Sequence, residues 1–241
     1  GLGAAFATGL AQRGMSLVLL ARRRDALERV AEALRSDYGV EVRPVVCDLG
    51  RPGLADVLRK ATALLDVGVA VYNAALAPVG DFVAQDPEVL RSVVDVNVHG
   101  PVTFARTLTA PMVARGRGAL VLMSSLAGMQ GTPRLATYAA SKAFNIVLAE
   151  SLWAELRPHG VQVVVSCAGA IRTPGYADAS GRDAPGTLDA ADVAERTLAA
   201  MDRGPRVIPG FVNRLAALLL GRLLPRRLSI TVMGANTKDL R

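Results

Sequence analysis

Tyr138 and Lys142 lie four residues apart in the stretch Tyr138-Ala-Ala-Ser-Lys142, and Ser125 precedes the tyrosine by 13 positions. On a helix, side chains at i and i+4 share a face, so a phenol and an ammonium can enter one site together. A neighbouring ammonium favours the phenolate and is expected to draw the phenol below its ordinary value of about 10. Such a group donates and accepts a proton near neutral pH. The spacing also arises by chance on solvated helix surfaces, so the residues elsewhere in the chain must decide between the two readings.

Several other positions could hold a ligand. Gly1-Leu2-Gly3 opens the sequence and runs into a helix-like segment, Ala4 to Arg13. Backbone N–H groups at a glycine turn feeding a helix can hold a pyrophosphate, although two glycines also suit a flexible chain end. The next apolar run ends in Ala21-Arg22-Arg23-Arg24, with no carboxylate before Asp25. A dinucleotide site for NAD usually places an acid there for the ribose 2′-hydroxyl, whereas arginine suits a 2′-phosphate. Arg22 and Arg23 therefore point to NADP(H) ahead of NAD(H), with a solvated basic helix start as the alternative. Asp48, followed by Leu49, can accept a hydrogen bond from an adenine amino group or cap a turn. Asn73, followed by Ala74, fixes the turn beneath a cofactor or forms an Asx-turn. Asn97 lies in a helical pattern, where asparagine competes poorly, and a functional reason is expected for it.

These residues need elements to position them. Short β-rich runs (Ser16 to Leu20, Val42 to Cys47, Val67 to Tyr72, Ala119 to Met123, Val161 to Ser166, Val207 to Ile208) alternate with helical patterns. The helices are expected over Arg24 to Tyr38, Leu54 to Leu65, Pro87 to Arg115 with a break near Gly100-Pro101, Tyr138 to Leu156 and Ala190 to Met201. Continuous apolar strands between helices indicate a central parallel sheet flanked by helices, in one doubly wound α/β domain. Such sheets bind ligands beyond the carboxyl ends of their strands, where Arg22, Asp48, Asn73, Ser125 and Ala168-Gly169 fall.

Composition narrows the classes. The 241 residues are 51% hydrophobic but only 4% aromatic, so the core is built mainly of Ala, Val, Leu and Ile. The net charge of +7 comes from scattered arginines and two short clusters, without the long basic stripe and exposed aromatics of a nucleic-acid surface. An anionic cofactor or a membrane surface explains it better. Cys47 and Cys167 each end an apolar run and are expected as buried thiols. His99 and His159 are isolated, so no metal centre is expected. No apolar run reaches membrane-spanning length, and a cytoplasmic protein is expected.

Together these motifs resemble the short-chain dehydrogenase/reductase family over essentially the whole chain. Gly1-Leu2-Gly3 resembles the end of the family's Thr-Gly-x-x-x-Gly-x-Gly, Asp48-Leu49 its adenine-contacting acid, and Asn73-Ala74 part of its Asn-Asn-Ala-Gly. Asn97 resembles its structural asparagine, and Ser125, Tyr138 and Lys142 its catalytic serine, tyrosine and lysine. Tyr72 and Ala75 depart from Asn-Asn-Ala-Gly, and Ala168 replaces the proline of a Pro-Gly motif whose remainder fits Gly169, Ile171 and Thr173. A strand and a first glycine are expected ahead of Gly1. That strand would be central to the sheet.

The resemblance implies a Rossmann-type fold, a homodimer or homotetramer, and hydride transfer between NADP(H) and a carbonyl or alcohol. Tyr138 would exchange the proton, Ser125 orient the oxygen, Lys142 hold the nicotinamide ribose and Asn97 position a water leading to Lys142. Ile171 and Thr173 would meet the nicotinamide end. Residues 174–188 are expected as a substrate lid. The leucine- and arginine-rich tail, 211–241, could line a pocket for an apolar ketone of 3-oxoacyl or steroid-like kind, rest on a membrane surface, or pack as a terminal helix. The rival reading is a dinucleotide-binding sensor without turnover.

Overall fold

In the computed structural model, which describes residues 1–174, 176 and 183–238, the apolar runs form strands and the amphipathic runs form helices. The order is α1 (Leu2–Ala11), β1 (Leu17–Ala21), α2 (Arg24–Tyr38), β2 (Val42–Val46), α3 (Leu54–Thr62), β3 (Val69–Tyr72), α4 (Pro87–Val94) and α5 (Gly100–Arg115). There follow β4 (Gly118–Ser125), α6 (Ala136–Leu156), β5 (Val161–Ala168), β6 (Ile171–Arg172), β7 (Leu188–Asp189), α7 (Ala190–Leu198), β8 (Arg206–Val207), α8 (Phe211–Leu218) and α9 (Arg226–Thr237). Local chemistry sets several boundaries. Asp86 caps α4, its side chain accepting from Glu88 N at 2.8 Å, and Pro87 occupies a first-turn position where its missing N–H costs nothing.

The expected doubly wound parallel architecture is present, and its ladder runs in two blocks. β1 pairs with β2, and β3, β4, β5 and β8 pair in that order, all in parallel. β1 and β3 face one another across a cavity of about 1510 Å³ lined by Leu17 to Ala21 on one side and Val69 to Val71 on the other. Among the described residues no strand pairs with the cavity edge of either. β6 and β7 form a separate parallel pair too short to be read from sequence.

Strand alternation distributes side chains to two cores. Leu120 and Leu122 of β4 join Phe104, Leu108 and Met112 of α5 and Ile146 of α6 on one face. Val121 and Met123 join Phe6 and Leu10 of α1, Leu34 of α2 and Val193 of α7 on the other. Burying a Val or Leu side chain stabilises by roughly 1.5–3 kcal/mol, so β4, covered on both sides, is a rigid support for whatever its end carries.

The expected break in the long helix is one turn earlier than Gly100-Pro101. Residues Asp95–His99 form a π-turn between α4 and α5, while Gly100 and Pro101 are helical. Glycine at position 100 makes room for a neighbour instead, since a Cβ there would lie 2.0 Å from the Tyr72 hydroxyl oxygen. Tyr72, standing where the family has asparagine, donates to Val96 O at 2.6 Å and packs edge-on against Phe104. Bulk at Tyr72 and its lack at Gly100 are therefore complementary.

Candidate active site

β4 delivers Ser125 at its carboxyl end, and the chain then turns through a short 3-10 segment, Leu126–Met129. The Ser125 hydroxyl oxygen accepts from Ala127 N at 3.1 Å, which fixes the side chain. The turn presses against α6: a Cβ at Gly128 would lie 2.7 Å from Ala143 N, so glycine permits the close approach of the two segments. Tyr138 and Lys142 project from this face of α6. The Ser125 side chain lies close enough to the Tyr138 hydroxyl to draw the phenol's value down. Lys142 is buried, and its Nζ donates to Met123 O at 2.9 Å and sits 5.6 Å from the Tyr138 ring centroid. Ser124 donates to Lys142 O at 2.7 Å, tying strand and helix together.

The electrostatics differ from the sequence expectation. Burial pushes the Tyr138 phenol above its ordinary value, and only the nearby Ser125 side chain opposes this. Burial lowers the Lys142 ammonium to about 8. A low-dielectric site disfavours both charged forms, and at this separation the ammonium does not reverse that for the phenol. At neutral pH the site therefore holds a phenol O–H and an ammonium. That is the proton-donating arrangement.

Asn97 reaches the cluster from the π-turn. Its Oδ1 accepts from Leu76 N at 2.8 Å, and its Nδ2 donates to Leu76 O at 2.8 Å and to Ser141 Oγ at 3.0 Å. Its backbone carbonyl accepts from Asn145 Nδ2 at 3.1 Å. Among the described residues no hydrogen bond joins Asn97 to Lys142; it holds the strand-end loop against α6 and is a positioning residue in this geometry. Sequence reasoning missed Ser141, Asn145 and the Met123 carbonyl. Asn145 gave a faint signal, a polar residue three positions after Lys142 on a helix face that is otherwise buried.

The residues expected to hold a dinucleotide meet the large cavity. Gly1, Leu2, Gly3, Arg22, Arg23, Asp48, Leu49, Asn73, Ala74 and Thr173 all line it. Gly1 caps α1 without a side chain, leaving that helix's first N–H groups open, and a Cβ at Gly3 would come 3.0 Å from Asn73 Nδ2. Arg22 and Arg23 are exposed and form no ion pair among the described residues. A narrow glycine cradle at a helix N-terminus with two exposed arginines fits a phosphorylated dinucleotide. Asp48 accepts from Gly50 N at 3.1 Å, so its turn-capping role is realised whatever else it binds.

Ile171 is partly buried and packs on the core that includes Val193 and Leu198, on the strand β6 that pairs with β7. The tail packs as helices over the segment after Ser125: Arg226 donates to Met129 O at 3.0 Å, and Thr237 to Pro133 O at 2.9 Å. Part of the expected lid, residues 175 and 177–182, and residues 239–241 of the tail lie outside the described residues. Cys47 and Cys167 are free buried thiols, Cys167 pushed up to about 12 by burial. No cluster of metal-ligating side chains occurs among the described residues. No described helix is long and apolar enough to cross a membrane.

Helices on both faces of a parallel sheet, a glycine turn at the N-terminus of α1 and a Ser–Tyr–Lys cluster at the end of β4 are the features of a doubly wound protein with a dinucleotide site. The family model for short chain dehydrogenase matches residues 1–183, and the chain belongs to that family of oxidoreductases acting on CH–OH and C=O groups. It is 35% identical to a 7beta-hydroxysteroid dehydrogenase from Clostridium sardiniense over 72% of this chain and 67% of that protein. It is 37% identical to a very-long-chain 3-oxoacyl-CoA reductase from Podospora anserina over 68% of this chain and 49% of that protein, so the matched region spans about half of that relative. A solved 7beta-hydroxysteroid dehydrogenase structure superposes with a TM-score of 0.91 at 27% identity, covering 97% of this chain and 92% of the other. A short-chain dehydrogenase from Sphingobium yanoikuyae in complex with NADPH gives a TM-score of 0.80 at 30% identity, covering 90% and 88%.

Proposed function

We propose that this chain is an NADP(H)-dependent reductase of apolar ketones of the steroid or 3-oxoacyl kind, working in the cytoplasm as a homodimer or homotetramer. The observation that carries the reading is the convergence of Ser125, Tyr138 and the buried Lys142 ammonium where the end of β4 meets α6. Support for the substrate class comes from the relatives named for steroid and 3-oxoacyl substrates, and for the cofactor from Arg22, Arg23 and the NADPH complex among the solved structures.

In the proposed mechanism the substrate oxygen accepts a hydrogen bond from each of the two hydroxyls. Tyr138 then gives its proton to the developing alkoxide while Ser125 holds the same oxygen. Lys142 stabilises the phenolate left behind and holds the nicotinamide ribose. Gly1, Leu2 and Gly3 cradle the pyrophosphate, Arg22 and Arg23 take the 2′-phosphate, and Asp48 and Leu49 meet the adenine. Asn73, Ala74 and Thr173 border the nicotinamide side. The nicotinamide, when bound, supplies the hydride. Alcohol oxidation uses the same groups in reverse.

The test is consumption of NADPH against NADH with a panel of apolar ketones, for the wild type and Arg22→Ala/Arg23→Ala. The expected result is NADPH-preferring turnover, with KM for NADPH raised about tenfold or more in the double variant and NADH use little changed. Tight NADPH binding without turnover of any ketone would leave the dinucleotide sensor as the function. Ser125→Ala is expected to lower kcat by about 10²-fold. Because it removes the hydroxyl that holds the phenol down, Tyr138 should also titrate at higher pH in ultraviolet difference spectra. An unmoved tyrosine titration would contradict the Ser125–Tyr138 coupling.

A further inference from the structure

The tail carries an exposed apolar surface beside the site. On α8, Phe211, Leu215 and Leu218 recur at helical spacing and are 72%, 46% and 46% exposed. The π-turn Leu219–Leu223 continues the stripe, with Leu219 at 41% and Leu223 at 64%. The opposite side of α8 is anchored: Asn213, buried, donates to Pro209 O at 2.9 Å and Gly186 O at 3.0 Å. The stripe is thus a face the fold turns outward.

Its border is cationic. Arg214 and Arg222 each lie four residues from Leu218, and Arg226 and Arg227 open α9. From Phe211 to Thr237 the sequence has no Asp or Glu, and none of these four arginines forms an ion pair among the described residues. An outward leucine stripe rimmed by unneutralised arginines complements an anionic lipid headgroup layer over acyl chains. A protein partner covering the same face would need acids matched to each arginine, and a second copy of this segment has none to offer.

We propose that the face formed by Phe211, Leu215, Leu218 and Leu223, with Arg214 and Arg222, docks this protein on an anionic bilayer. The proposal rests on the reductase reading only for its purpose: Arg226 holds the segment after Ser125, so docking places the site mouth near lipid-dissolved ketones. The helices lie in the headgroup boundary and do not span it.

The decisive experiment is co-sedimentation of the full-length protein with vesicles of phosphatidylcholine alone and of phosphatidylcholine containing about one-third phosphatidylserine. The wild type is expected to pellet with the anionic vesicles and to be released by high salt. Arg214→Ala/Arg222→Ala should weaken binding about fivefold per arginine, more than tenfold for the pair. Leu215→Ser/Leu218→Ser should also abolish pelleting, while both variants turn over a water-soluble ketone like the wild type. A wild type that stays in the supernatant, or variants that bind as it does, would overturn the proposal. So would variants that sediment as a smaller species with no change at vesicles, which would make the face a protomer interface. Vesicle binding without turnover of any ketone would leave the docking face standing and sink the reductase reading.

Discussion

Tyr138→Phe is expected to lower kcat/KM for ketone reduction by about 10³-fold while leaving NADPH affinity within about twofold, as a positioned proton donor contributes roughly 10²–10⁴. The phenylalanine keeps the ring and its place beside Lys142 and removes only the hydroxyl near Ser125. The pH profile separates this role from a structural one. Burial holds the phenol above its ordinary value, so the O–H is intact through neutrality. Reduction, which consumes that proton, should not depend on Tyr138 titration near neutral pH. Alcohol oxidation, which needs the phenolate, should climb as pH rises. An oxidation rate independent of pH from neutrality upward would remove Tyr138 from the proton path, as would a Tyr138→Phe variant retaining a tenth of wild-type activity.

The second large effect has two signs. Lys142→Met should abolish measurable reduction and at the same time raise the melting temperature at neutral pH. The buried ammonium donates to Met123 O, and its value falls from 10.5 to about 8. Because the folded value is depressed, the unfolded chain binds more protons between those values, and stability rises with pH across that window. Below about pH 8 the whole cost is present, on the order of 3 kcal/mol from 1.36 kcal/mol per unit. For a chain of this size that corresponds to roughly 5 °C or more, which the flexible, apolar methionine recovers. Calorimetry from pH 7 to 10 checks it: the wild type should gain on the variant as pH rises. A variant that melts lower throughout would mean that the ammonium is stabilised by more than the Met123 carbonyl.

The Tyr138/Lys142 pair is legible in the sequence because its geometry is local: four residues on one helix face need no knowledge of the rest of the fold. Ser125 is legible because an apolar run that stops at a serine marks a strand end. The direction of the phenol's shift is not, since it depends on how deeply tertiary packing buries the ring, and a sequence shows the ammonium but not the burial. Asn97 stands out as anomalous for a helix, yet the π-turn that explains it lies a turn before the expected break, because glycine and proline are the usual signals and here both are helical. Ile171 is suggested by a motif whose neighbouring proline is absent; the pairing of β6 with β7 that turns it to the core joins residues 17 positions apart and leaves no local trace. The two-block ladder is likewise invisible in the strand pattern itself.

The π-turn at Asp95–His99 also sets how this helix can change length. One surplus residue is absorbed there, so α4 and α5 are out of phase with a single continuous helix by about 100°. Deleting any one residue of the turn would let the helix close up, and everything on one side of it would swing by that angle. Either Asn97 would leave Leu76 and Ser141, or Phe104, Leu108 and Met112 would rotate out of the core. Four-residue insertions, nearly a whole turn, would be absorbed far more easily than the loss of one.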